Sequence, residues 1–358
     1  MEDLLINQKE ILGINDFLDE AKQFSKDAFG SNNLDSLYEN IINGDILKCF
    51  ETIDFKGIIF SQISEAIKLI VLMLEVIIIC SVLKNILDSL KVSNAGKNVY
   101  FVQYFVLVIL IVNAFVPILK FTVEAINRII SFMNMLIPLL ITLILSTGNI
   151  VTTSMMEPVL VISMNFIANF INSFVVPFCL ISFVISVISN LLGKIKLEKI
   201  SKILRNVIVW TLGILLTVFT ALLSLESNIT SSVDGLAGKT TKAAVSGFIP
   251  VVGKIMGDSV DAVIGSVNIL KNSVGVIGTL IIFAITLSPS IKIICYWFSF
   301  KILAALSEPC ADSAIVNLFE VISENYKILL GILFSVTIMF IIGITIVLKT
   351  TNMSLMYR

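Results

Sequence analysis

Apolar residues run in long stretches over most of this chain, and charges are confined to short intervals between them. A bilayer core of about 30 Å needs about 20 apolar residues in a helix. Seven stretches meet that need: Ser64 to Leu87, Val99 to Leu119, Ile129 to Ile150, Pro158 to Gly193, Asn206 to Leu225, Asn272 to Phe298 and Ile328 to Leu348. A further segment, 243–266, is a marginal eighth. The pattern predicts an all-α, polytopic helical integral membrane protein with about 7–8 transmembrane helices. Residues 57–242 form a first membrane region, and residues 243–358 a glycine-rich segment with a C-terminal membrane region.

Prolines mark irregular points. Pro117 ends the second stretch, and Pro138 and Pro289 fall inside two others. The stretch 158–193 has no charge and would reach about 54 Å as one helix. With Pro177 inside it and Asn165, Asn169 and Asn172 before it, it reads as a kinked helix or as a broken, re-entrant pair. One or two kinked, broken or re-entrant segments are therefore expected.

The beginning of the chain differs. Residues 1–56 hold 12 acidic and 5 basic residues. Ile11, Ile14, Leu18, Ala21 and Phe24 fall near one helical face, and Leu34, Leu37, Ile41 and Ile42 suggest a second short helix. Two readings fit this acidic amphipathic region: a small domain packed on the membrane part, or a docking surface for a partner. The opening MEDLLINQKE has neither the basic start nor the long apolar run of a secretory leader.

Composition removes whole classes of function. The chain is 57% hydrophobic and 14% charged, with mean hydropathy +0.99. Soluble domains are about 45–50% apolar and about 25% charged. Net charge is −1, so no basic field exists to hold a nucleic acid. Histidine is absent, which removes the commonest zinc ligand and the commonest base near neutral pH. The five cysteines form no CxxC pair. No string GxxxxGK[ST] occurs, so the chain lacks a P-loop. The expectation is a non-enzyme without metal or cofactor.

Charge also bears on orientation. Lys194, Lys196, Lys199, Lys202 and Arg205 make residues 194–205 a cytoplasmic segment by the positive-inside rule. The acidic residues 1–56 are expected outside. Lys84, Lys91 and Lys97 favour the inside, and so does the tail with Lys349 and Arg358. Seven plain crossings do not satisfy all of these signals. An extra crossing hidden within 121–193 is the simplest repair.

Some charges lie within apolar stretches. Lys68 and Glu75 sit in the first one, seven apart and so near one face, and should point at other helices or water. Glu65 is placed to pair with Lys68. A second group lies in SGFIPVVGKIMGDSVDAVIGSVNILKNSVGVIG, residues 246–278. Gly253 and Gly257 form a GxxxG pair, which lets helices approach closely. Lys254, Asp258 and Asp261 share a face. This is either a tightly packed surface helix or a polar face within the membrane, lining a passage or an assembly seam. In KILAALSEPCADSAIVNLFEVISE, residues 301–324, Glu308 and Asp312 read as decoration of a surface helix and its turn.

These last two strings resemble the stage III sporulation protein AE family, and the resemblance spans about residues 60–348. It implies a multispanning subunit of the channel complex that joins mother cell and forespore during endospore development. The location implied is the mother-cell membrane surrounding the forespore. The partners implied are proteins of the same operon, among them a secretion-type ATPase and ring-forming subunits, with a forespore-side partner reached through them. No catalytic residues come with the resemblance. A structural scaffold without its own pore, or an independent secondary transporter, are the alternatives.

Overall fold

The computed structural model describes residues 8–29, 34–42, 55–90, 93–192, 197–248 and 252–356. All regular structure among them is helical. Two short helices, α1 (Ile14–Phe29) and α2 (Leu34–Ile42), precede the membrane part. The long helices are α3 (Phe55–Ser89), α4 (Ser93–Ser146), α5 (Ile150–Phe170), α6 (Val176–Leu192), α7 (Glu198–Phe248), α8 (Val252–Ser307) and α9 (Ser313–Met356). A π-helical turn, Ile171–Val175, joins α5 to α6.

Six helical segments are long and apolar enough to cross a membrane, counting α5, the π turn and α6 as one. The difference from seven stretches has one source. Stretches 99–119 and 129–150 belong to one continuous helix, α4, so residues 120–128 form no loop. Residues 226–242, whose Ser, Thr, Gly and Asn resemble a loop in composition, are likewise helix, part of α7. Of their small polar side chains, Ser227, Thr230 and Ser231 are buried, whereas Ser232 is exposed. Small polar side chains bond to carbonyls of their own helix, as Thr230 does to Glu226, and so pack between helices at little cost.

The π turn has a cause in the sequence. Pro177 lacks an N–H, and its ring crowds the carbonyl four residues earlier, at position 173. Widening the helix over Ile171–Val175 accommodates this without ending it. The uncharged stretch 158–193 is thus a helix with a local break, not a re-entrant pair.

Antiparallel α8 and α9 form the centre. They carry the highest buried share of all the apolar segments, 61% and 50%. Around them, α3 packs on α4 and α8, whereas α7 packs on α5, α6 and α9. The turn between α8 and α9 at residues 308–312 marks one end of the bundle. Lys84 reaches Asp312 there at 2.6 Å, so the C-terminal end of α3 lies at the same end. The start of α7 lies there too, since Ser201 bonds Ser182, which reaches Asn325 of α9. At the opposite end Ser227 bonds Thr350. The basic α6–α7 junction therefore shares its end with Lys84. The C-terminal tail lies at the other end, against the expectation that both basic segments occupy one side. No hidden crossing is needed once α4 runs through.

The predicted apolar face is buried along α1 but not before it, because Ile11 precedes the helix and is exposed. Ile14, Leu18 and Ala21 are buried, and Phe17 and Phe24 meet Phe132 of α4. Arg128 donates to the Phe24 carbonyl at 3.3 Å. The segment Asn98–Ser146 of α4 is 49 residues long, or about 74 Å. Even a tilt of about 40° needs only about 40 Å of helix to cross the core. Only part of α4 can lie in hydrocarbon. Lys120, Glu124, Asn127 and Arg128 form the polar belt between its two apolar parts.

Candidate functional site: a charged groove

Two contacts fix the depth of α3 against the core. Near one end, Glu65 accepts from Lys292 at 2.9 Å and from the Tyr296 hydroxyl at 3.1 Å. Near the other, Lys84 meets Asp312. The interval from 65 to 84 is about 28 Å of helix, close to the hydrocarbon thickness. Glu65 is therefore taken by α8, not by Lys68 as the spacing suggested. Lys68 and Glu75 are both exposed on the outer face of α3, and among the described residues neither forms an ion pair with another helix.

Across the bundle, next to the apolar stretches of α7, α8 and α9, the surface is charged. A groove of about 960 Å³ runs between α7 and α9, with Lys301 of α8 at its edge. One half is lined by Glu198, Lys202, Arg205, Lys301, Glu320, Glu324 and Lys327. The other half is apolar, with Leu212, Leu216, Ile328 and Phe334, and with Gly213 and Gly331. Nothing lies within 4 Å of where a Cβ would stand on either glycine. Glu324 lies 3.6 Å from Lys301 and 3.9 Å from Lys327, so the pairs are loose. The depth follows from neighbours: Lys301 lies between Tyr296 and the 308–312 turn, and Glu320 and Glu324 lie between that turn and Tyr326. The rings of Tyr296 and Tyr326 meet at a tilt, their centroids 5.9 Å apart.

The floor under Arg205 is a buried polar network. Its guanidinium donates to Ser201 at 2.7 Å and to Ser186 at 3.3 Å. Asn325 donates to Ser186 at 3.2 Å and accepts from Ser182 at 3.3 Å. Ser182, Ser186, Ser201 and Asn325 are fully buried, so α6, α7 and α9 are stitched together by groups with no access to water. Beside it an aromatic column packs Phe115 on Phe183 at 3.9 Å and on Tyr326 at 5.3 Å. A second fixed point lies at the far end. Asp234 of α7 is buried and accepts from the amides of Val151 and Thr152, at 3.0 and 2.8 Å. It caps α5, whose own N-cap residue Asn149 makes no side-chain cap bond.

The residues singled out in the sequence are not brought together. The backbone of Gly253, Lys254, Gly257, Asp258 and Asp261 lies in the first turns of α8. Their side chains fall outside the described residues. Glu308 is exposed and lines a separate flank cavity of about 500 Å³. Asp312 is the partner of Lys84. The groove was missed because its charges come from segments more than 90 residues apart. Its signal was the clustering of Lys301, Glu320, Glu324 and Lys327 around one helical hairpin. Among the described residues no group of three or more Cys, Asp or Glu side chains is placed to hold a metal.

A family profile described as stage III sporulation protein AE matches residues 33–351, nearly the whole chain. The chain belongs to the stage III sporulation protein AE family. Stage III sporulation protein AE of Bacillus subtilis (strain 168) is 30% identical over 321 residues, 88% of this chain and 80% of the relative. No solved structure matches. The sporulation protein AE match covers α3, both walls of the groove and the aromatic column together. The chain is thus a multi-pass membrane protein of sporulation.

Proposed function

We propose that this chain is the multispanning mother-cell membrane subunit of the channel complex that joins mother cell and forespore, and that it works only as part of an assembly. Its partners are proteins of the same operon: a secretion-type ATPase, ring-forming subunits and, through them, a forespore-side protein. Family membership supports the process. The charged groove beside the apolar stretches supports the role, because charges so close to the hydrocarbon need water or protein against them. The end carrying the α6–α7 junction is cytoplasmic, and residues 1–56 are extracytoplasmic.

One observation weighs against a self-contained secondary transporter. Such proteins hold substrate near mid-membrane between repeated halves. Here the large cavities open on the flanks, and the more enclosed ones described measure about 10 and 50 Å³. A passage then runs between subunits, or the chain is a scaffold for the rings. The glycine-rich face of Gly253, Lys254, Gly257, Asp258 and Asp261 is a further assembly seam in this reading.

The test is deletion in a sporulating host, with return of a tagged copy. Heat-resistant spores should disappear and then recover, and the tagged chain should bring down the ATPase and ring proteins from solubilised membranes. Unchanged spore yield, or a chain that purifies alone, would refute the reading.

A further inference from the structure

The exposed face of α3 and the α7–α9 groove lie on different flanks and carry complementary charge at matching depth. Along the outer face of α3 run Lys68, Leu72, Glu75, Ile79, Val82 and Ile86, all exposed, spaced alternately four and three apart. That is the spacing of a helix seam that packs against another helix. Glu75 lies near the middle of the interval fixed by Glu65 and Lys84, where a carboxylate has no route to water along the helix.

We infer that α3 of one copy seats in the α7–α9 groove of the next, with Glu75 against Lys301 and Lys68 against Glu324, and that repetition of this contact builds a ring. Depth decides the pairing. Lys68 is three residues from Glu65, and Glu324 is two from Tyr326, whose ring packs at a tilt on the Tyr296 that binds Glu65. Both therefore lie near the same level. Glu75 and Lys301 lie further toward the 308–312 turn. Copies in one bilayer are related by rotation about its normal, so residues meet at equal depth. A two-fold contact of α3 with α3 would set Glu75 against Glu75. A head-to-tail contact sets each charge against its opposite, and closes into a ring where the rotation allows. This rests on the membrane placement of α3 and on no assumption about cargo.

The experiment uses full-length copies with two different tags, native cysteines replaced, made together in cells that supply the rest of the complex. One copy carries Ile79→Cys and the other Asn317→Cys, and a short bismaleimide is added to membranes. A product bearing both tags is expected, and a single chain with both cysteines should give a ladder beyond the dimer. Linkage of Ile79→Cys only to itself, only to another protein, or to nothing would overturn the proposal. Introducing Glu75→Lys in the first copy should lower the mixed product roughly tenfold, the factor given by about 1.4 kcal/mol. Lys301→Glu in the second copy should restore it. No loss, or no recovery with both variants at parental membrane levels, would also overturn it. These readouts register contact between copies and not spore formation, so their failure leaves the proposed function standing.

Discussion

At the residue scale, two kinds of contact compete to hold this protein together, and magnitudes separate them. Hydrogen bonds between membrane helices contribute about 0.6 kcal/mol on average and at most about 1.7. Ser186→Ala removes a hydroxyl from the buried network and should cost within that range. Phe115 stacks on Phe183 and edges Tyr326, and is itself fully buried. Removing a large buried aromatic side chain costs about 3–5 kcal/mol. Phe115→Ala should therefore destabilise the purified protein clearly more than Ser186→Ala. Thermal unfolding in detergent gives the order, and the reverse order would show that the network, not the column, holds α6 to α9. Asp234 is a separate case because it is ionic and caps a helix. Asp234→Ala strands two buried amides, and should cost about 1.5–3 kcal/mol. Asp234→Asn keeps an acceptor and should cost less. Equal losses in the two variants would argue against the capping role.

At the element scale, glycine positions distinguish packed from open helix faces. A Cβ on Gly278 would stand 2.6 Å from the side chain of Leu136, which is itself buried. Gly278→Ala should therefore overpack the α4–α8 contact and cost about 1–3 kcal/mol. Gly213→Ala meets nothing, and should stabilise the isolated chain by about 0.5–1 kcal/mol through helix propensity alone. Melting of both variants checks the contrast, and a destabilising Gly213→Ala would contradict it. The helices themselves were legible in the sequence, because long apolar runs leave little choice in a bilayer. Their joins were less so. Lys120, Glu124 and Arg128 recur every four residues, which suits one side of a continuous helix as well as a loop. The Ser and Thr residues of 226–242 imitate a linker, yet Thr230 and Ser231 bond to their own helix and are buried. The break near Pro177 was legible, though not its π geometry. The groove was not legible, since no local pattern reveals that Arg205 shares a wall with Glu324.

At the scale of the whole molecule, the ends carry the orientation. The α6–α7 junction lies at the end of the 308–312 turn, and α1 packs far up α4 near Phe132. In cells with native cysteines replaced, Lys199→Cys should resist a membrane-impermeant maleimide until the membrane is opened, whereas Ala28→Cys should react at once. The opposite pattern would invert the molecule. Purified chain should also hydrolyse no ATP on its own. Hydrolysis that persists after every other subunit is removed would contradict the assignment of energy to a partner.

The walls of the groove have a mechanical property that bears on how the assembly moves. Neither α7 nor α9 contains a proline, and the two run side by side for most of their lengths. They are tied at one end through Ser201, Ser182 and Asn325, and at the other through Ser227 and Thr350. Two unhinged rods fastened at both ends behave as a beam. Such a beam resists widening between its ties, so the groove is expected to keep its bore when filled. In the proposed assembly, opening and closing would then fall to the sliding or tilting of whole subunits against one another. A load applied at the 308–312 turn is carried along the beam to Thr350 rather than absorbed on the way.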